Sequence, residues 1–231
     1  MKRLVLFVEG EGDATAVPVL VSRLITERNG WDSVTLDQEP FRVQNLQKLA
    51  KDDCRNWTRW LQAASLRGNL GGVLLILDGD IEKFAGEPFC PFRVAQHLVR
   101  KAQSVRAGEA FSVAVVFACQ EYESWLIAGV ESLAGRLFPD GRSGILAGTV
   151  PPQGDLEQAP RDAKGWLGKF MASGYSEAKD QESLTRLIDL DVIRKRQLRS
   201  FRRMDSAVTQ LLDAVRTGQH VSTPIPEGSV P

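Results

Sequence analysis

The chain has 231 residues, 43% of them hydrophobic, enough to bury the core of one large domain or of a domain with an appended lobe. Its 29 basic and 29 acidic side chains cancel to a formal net charge of zero, which excludes a general attraction to nucleic acid or to a membrane surface and leaves such binding to local patches. Cys54, Cys90 and Cys119 are odd in number and widely spaced, which argues against a disulfide framework or a paired zinc site; with no secretory signal pattern and no bilayer-length apolar run, the expectation is a soluble cytoplasmic protein with reduced thiols.

Leu4-Val-Leu-Phe-Val8 is a non-alternating apolar run, the pattern of a strand covered on both faces. After Glu9 and Gly10-Glu-Gly12, a helix is expected from Asp13 to about Arg28, with Val17, Leu20, Val21, Leu24 and Ile25 on one face and Asp13 as its N-cap. Pro18 then marks the first turn or a kink. One short strand is expected between Trp31 and Val43, then a helix from about Asn45 to Leu66. Val73-Leu-Leu-Ile-Leu77 is the second buried strand and ends in Asp78-Gly-Asp80. Residues 81–91 read as a loop, Arg93 to Val105 as a helix, and Val113-Ala-Val-Val-Phe-Ala118 as a third strand, followed by Glu121 and Glu123. This βαβ rhythm gives the fold class: α/β, with a mostly parallel central sheet flanked by helices over residues 1–135.

Residues 136–216 read as a helical C-terminal extension packed on that core. A Gly- and Pro-rich loop from Pro139 to Pro160 precedes helices at about Arg161–Ser173, Gln181–Leu190 and Ser200–Arg216, with no further strand expected. Residues 217–231 read as a disordered tail.

The informative residues are the acids at the strand ends. If the strands are parallel neighbours, Glu9, Asp78, Asp80, Glu121 and Glu123 crowd one sheet edge, with Asp13 one loop away. Clustered carboxylates raise one another's pKa, and a hard divalent cation with oxygen ligands offsets that cost. The competing reading of each acid is a helix N-cap or a solvated turn residue. Gly10-Glu-Gly12 is not a nucleotide loop, since Thr15 stands where a third glycine is needed and no Walker lysine follows. His97 and His220 are the only histidines, which leaves little room for a Ser/His/Asp hydrolase.

Val8-Glu-Gly10 with Asp13, and Leu77-Asp-Gly-Asp80, resemble the Toprim signature shared by topoisomerases, primases and overcoming-lysogenization-defect nucleases. Two further segments, Gln120-Glu-Tyr-Glu-Ser-Trp-Leu126 and Arg161-Asp-Ala-Lys-Gly-Trp-Leu167, are similar to a family of small stand-alone bacterial Toprim-like proteins that look like partners of ATPases in defence-type loci. The resemblance implies a Toprim-like sheet and phosphodiester chemistry at Mg2+ or Mn2+. It implies that Glu9, Asp78 and Asp80 hold metal, that Asp13 stands where nuclease relatives often carry another acid, and that Glu121 and Glu123 join through the narrower likeness only.

The expected function is therefore a metal-dependent nuclease acting on DNA or RNA, with a possible ATPase partner and no membrane. Glu9 is a metal ligand or the general base, and Lys164, with Arg161 as second choice, is the cation facing the transition-state charge. Arg194, Lys195, Arg196, Arg199, Arg202 and Arg203 form a cationic block; with Arg161 it offers a track for a phosphate backbone at Arg194, Lys195, Arg199 and Arg202. A solvated helix face is the competing reading of the block. Trp57, Trp60, Trp125 and Trp166 read as packing residues before stacking platforms. Two other functions fit the same residues: a non-catalytic nucleic-acid-binding or regulatory module partnering an ATPase, and a primase or nucleotidyl transferase.

Overall fold

A computed structural model describes residues 1–226. The principal strands are β1 (Lys2–Val8), β4 (Leu70–Asp78) and β7 (Ser112–Ala118), with short β2 (Val34–Leu36), β3 (Phe41–Arg42) and β8 (Ser222–Thr223) completing one sheet. Its order is β2-β1-β4-β7-β8, β3 also pairs with β1, and each of these pairings is parallel. A separate antiparallel hairpin, β5 (Lys83–Phe84) with β6 (Glu87–Pro88), interrupts the loop after β4.

The continuous apolar runs are explained by what covers each face. Val5, Phe7, Val73, Leu75, Val113 and Val115 point into one core, against α2 (Leu46–Ser65) and α3 (Pro91–Ala102). Their neighbours Leu4, Leu6, Leu74, Ile76, Ala114 and Val116 point into the other, against α1 (Glu11–Glu27), α4 (Glu123–Ala128), α5 (Ala163–Lys169), α6 (Glu177–Leu187), α7 (Leu190–Lys195) and α8 (Arg199–Thr217). Alternation with both faces apolar erases the polar half of the strand period, as a helix-covered parallel sheet requires. The helices after residue 136 thus close a whole face of the sheet together with α1.

Several elements differ from their sequence expectation. Helix α1 starts at Glu11 with Gly10 as N-cap, and Asp13 sits one turn in, its Oδ2 accepting from Gly10 N–H at 3.0 Å. The region between α1 and α2 holds two short strands, because β1 has an open edge that both can pair. Helix α2 is broken: Lys51 is extended and Asp52, Asp53 and Cys54 have φ of 51°, 58° and 65°, a left-handed reversal that helical periodicity does not reveal. Helices α4 and α7, six residues each, were too short to register in the sequence pattern. The expected tail is corrected in part: Ser222 and Thr223 pair with Val113 and Ala114 as an edge strand, while residues 227–231 lie outside the described residues. Among the described residues no helix is long and apolar enough to cross a membrane.

In a parallel sheet, chemistry collects where connections leave the carboxyl ends of neighbouring strands in opposite directions. From β1 the chain passes to β2 on one side, and β4 lies on the other. The crevice between the ends of β1 and β4 is this switch point, and Glu9 and Asp78 stand at it.

Candidate functional site

The register of β1 on β4 pairs Phe7 with Leu75, which carries Glu9 level with the end of β4. Asp78 N–H donates to Glu9 Oε2 at 3.3 Å, so the backbone of one strand end orients the carboxylate of the other. Asp78 Oδ1 in turn accepts from Tyr122 N–H at 3.0 Å and ties β4 to the turn entering α4. Gly79 suits this close crossing: its N–H donates to Ala118 O and Gln120 O, both at 2.7 Å, and a Cβ there would stand a tight 3.0 Å from Ala118 O. Asp80 follows, exposed at the rim.

Helices bring the remaining groups. Asp162 caps α5 by accepting from Gly165 N–H at 2.7 Å, which fixes Lys164 in the first turn. Lys164 Nζ lies 3.2 Å from Glu121 Oε1 and 2.5 Å from Glu177 Oε1. Glu177 opens α6, which approaches α1 at Gly12: a Cβ at that glycine would stand 2.1 Å from Gln181 Oε1 and 2.9 Å from Glu177 Cβ. Gly12 is therefore a helix-crossing residue. Gln181 Nε2 donates to Asp13 Oδ1 at 3.1 Å, and Tyr175 O–H donates to Glu123 Oε1 at 2.8 Å. Glu9, Asp78, Asp80, Glu121 and Lys164, with Asn45 and Gln47 from the start of α2, line one cavity of about 220 Å3.

The electrostatics follow from this crowding. Burial, then the charges of Asp13, Glu123 and Glu9, push the Asp78 carboxyl well above the carboxylate range. Burial raises Glu9 against the favourable Asp78 N–H bond, and it raises Asp13 against its bonds from Gly10 and Gln181. Glu123, 1% exposed, is pushed up to about 7 by burial, with Glu121 adding to the rise. Burial opposes the Lys164 ammonium, but the Glu177 hydrogen bond and the charges of Glu123, Glu121 and Asp78 outweigh it and hold its pKa above the usual lysine range.

The donor set fits a hard divalent ion in chemistry. It is built of carboxylate oxygens, and Glu121 Oε2 is buried without a hydrogen-bond partner. It is not a finished cage: among the described residues no three Asp, Glu, His or Cys side chains already form a group able to hold an ion.

The basic residues named from the sequence are dispersed. Arg194 is held by Glu27, Asp191 and Asp205 at 2.5, 2.8 and 3.2 Å, and Arg199 by Glu157 at 3.0 Å. Ion pairs thus engage two residues of the expected phosphate track; Arg203 is turned inward, its Nη2 donating to Val115 O at 3.4 Å. Lys195, Arg202 and Arg161 are exposed and in no ion pair among the described residues, and Arg161 lies outside the cavity lining. Trp57 and Trp125 are fully buried, donating to Leu98 O and Ser200 Oγ at 2.8 and 2.9 Å. Sequence reasoning missed Tyr175, Glu177 and Gln181, whose signal is the α1–α6 crossing at Gly12, a three-dimensional fact.

The family described as a domain of unknown function (DUF4276) matches residues 8–208, and the chain belongs to it. No curated protein and no solved structure matches the chain.

Proposed function

We propose that this chain is a divalent-metal-dependent phosphodiesterase acting on nucleic acid, a nuclease of the Toprim type that works in the cytoplasm beside an ATPase partner. One observation carries the reading. Glu9 and Asp78, the first acid after β1 and the first of the Asp-Gly-Asp pair after β4, are hydrogen-bonded neighbours at the switch point of the sheet, in one cavity with Asp80, Glu121 and Lys164.

Glu9, Asp78 and Asp80 would hold the ion, with Glu121 completing the set. Mg2+ or Mn2+ bound there supplies positive charge to the phosphodiester oxygens and acidifies a bound water. Glu9 keeps one oxygen on Asp78 N–H, which leaves the other either to ligate the ion or to take the proton of an attacking water. Lys164 stays protonated and lines the cavity, where its ammonium would face the negative charge that grows on the transferred phosphate. Asp13 and Glu123 set the field around Asp78.

Labelled DNA and RNA incubated with Mn2+ or Mg2+ test the proposal. Cleavage is expected from the wild-type chain and not from the Asp78→Ala/Asp80→Ala variant, whose fold is checked by circular dichroism. Full activity in that variant contradicts the proposal.

A second reading, binding without cleavage, is favoured by a specific observation: Lys164 already neutralises Glu121 and Glu177, so part of the acid cluster is balanced by a cation of the chain itself. Salt-sensitive binding of nucleic acid with no metal-stimulated cleavage would select it.

A further inference from the structure

A cavity walled by carboxylates repels a polyanion, the molecule as a whole is neutral, and Arg194 of α7 and Arg199 of α8 are engaged by acids. A nucleic-acid substrate must therefore be held by another surface adjoining the cavity. The break in α2 creates one. The reversal at Lys51–Cys54 sets the turn of residues 46–50 against the helix that follows, and Asn56 Nδ2 donates to Lys48 O at 2.8 Å across the angle. Between the two segments lies a groove of about 590 Å3 lined by Lys48, Lys51, Arg59, Asn56, Trp60 and Gln44, among others, and by no acidic side chain.

We propose that this groove on α2 is the binding track for an unpaired nucleic-acid strand that feeds the acid cavity. The inference rests on the phosphodiesterase reading for the destination of the strand, but not for its binding. The two sites are continuous along the chain: Val43 and Gln44 line the groove, Asn45, Leu46 and Gln47 line the acid cavity, and Lys48 lines the groove again. Lys48, Lys51 and Arg59 are exposed and in no ion pair among the described residues, so their charges are free for phosphates. Trp60 is half-buried, braced edge-on by Phe41 at 5.5 Å between ring centroids, and its indole N–H has no protein acceptor among the described residues. Free cations around a fixed aromatic ring are the components of single-strand binding, in which phosphates follow the charge and a base stacks on the ring.

Fluorescence anisotropy of labelled oligo-dT and oligo-U in EDTA measures binding without cleavage, and a duplex of equal length serves as competitor. Both single strands are expected to bind with a steep salt dependence. The Lys48→Gln/Lys51→Gln/Arg59→Gln variant is expected to lose ~100-fold in affinity at 0.1 M salt and to flatten the log–log salt slope by about 2. Trp60→Phe should weaken binding ~5-fold or more with little change of slope. Hydrolysis of bis(4-nitrophenyl) phosphate with Mn2+, which needs the acid cavity alone, should survive in the triple variant. Unchanged affinity and slope in the triple variant overturn the proposal, as does a duplex that competes as well as a single strand, or a wild-type chain that binds neither. Groove-dependent binding by a chain that hydrolyses nothing leaves the track standing and removes the catalytic reading instead.

Discussion

The acid pocket at the ends of β1 and β4 and the cationic block of residues 194–203 look alike in sequence, each a local concentration of one charge in a neutral chain. In three dimensions they are opposites. Arg194 and Arg199 are surrounded by Glu27, Asp191, Asp205 and Glu157, so their charges are spent on holding α7 and α8 to α1 and to the loop before α5. In and behind the pocket, Glu9, Asp78 and Glu121 on its wall and Asp13 and Glu123 outside its lining have Lys164 as their nearby cation, and burial lifts the pKa of Glu9, Asp13, Asp78 and Glu123. Density of like charge along a sequence says little about function. A shortage of counter-charge at a buried strand end says more.

Substitutions should separate the two regions by the kind of damage they do. The largest effect is expected in the pocket, where Asp78→Ala/Asp80→Ala should lower metal-dependent hydrolysis by ~10^3-fold or more without unfolding the chain, read by cleavage rate and circular dichroism. Lys164→Met comes next, with a loss of ~10^2-fold in turnover, while Arg161→Met should leave the rate unchanged because Arg161 lies outside the cavity.

A pH effect on the metal-free protein follows from Glu123. Its carboxyl rises from an ordinary 4.5 to about 7 in the fold, so the folded state holds the proton more tightly than the unfolded chain. The resulting stability is complete below pH 4.5 and is lost as pH rises through 7, a change of about 3 kcal/mol across that window. Thermal melts in EDTA should show this decline, Glu123→Gln should remove the Glu123 share of it while the raised Glu9, Asp13 and Asp78 carboxyls keep the rest, and Mn2+ should reverse it at the upper end.

The smallest effect belongs to the cationic block. Arg194→Ala should cost about 1–2 kcal/mol of stability in denaturant melts, since the pairs are partly exposed, and should change neither hydrolysis nor nucleic-acid affinity. A strong loss of binding in that variant would erase the contrast between the regions.

Much of the fold was legible because its strongest signals are local. Apolar runs ending in Glu9 and Asp78 mark the central parallel strands, and helical spacing marks α1 and α8. The edge strand at Ser222–Thr223 and the left-handed break at Asp52–Cys54 were not legible, since the first depends on β7 offering a free edge and the second on a backbone reversal that leaves composition unaltered. In the pocket, acids at strand ends could be found by position along the chain. Tyr175, Glu177 and Gln181 could not, because they arrive through the packing of α6 on Gly12. The acid partners of Arg194 were hidden for the same reason, Glu27 being distant in sequence.

The most direct measurement of the central claim is a crystal structure of the chain soaked in Mn2+, with the ion located by its anomalous signal. An ion is expected at the switch point, ligated by Glu9 and by the Asp78-Gly-Asp80 segment, with Glu121 released from Lys164 toward it. A soak at millimolar Mn2+ that leaves no ion between Glu9 and Asp78, with Lys164 still bridging Glu121 and Glu177, would contradict it.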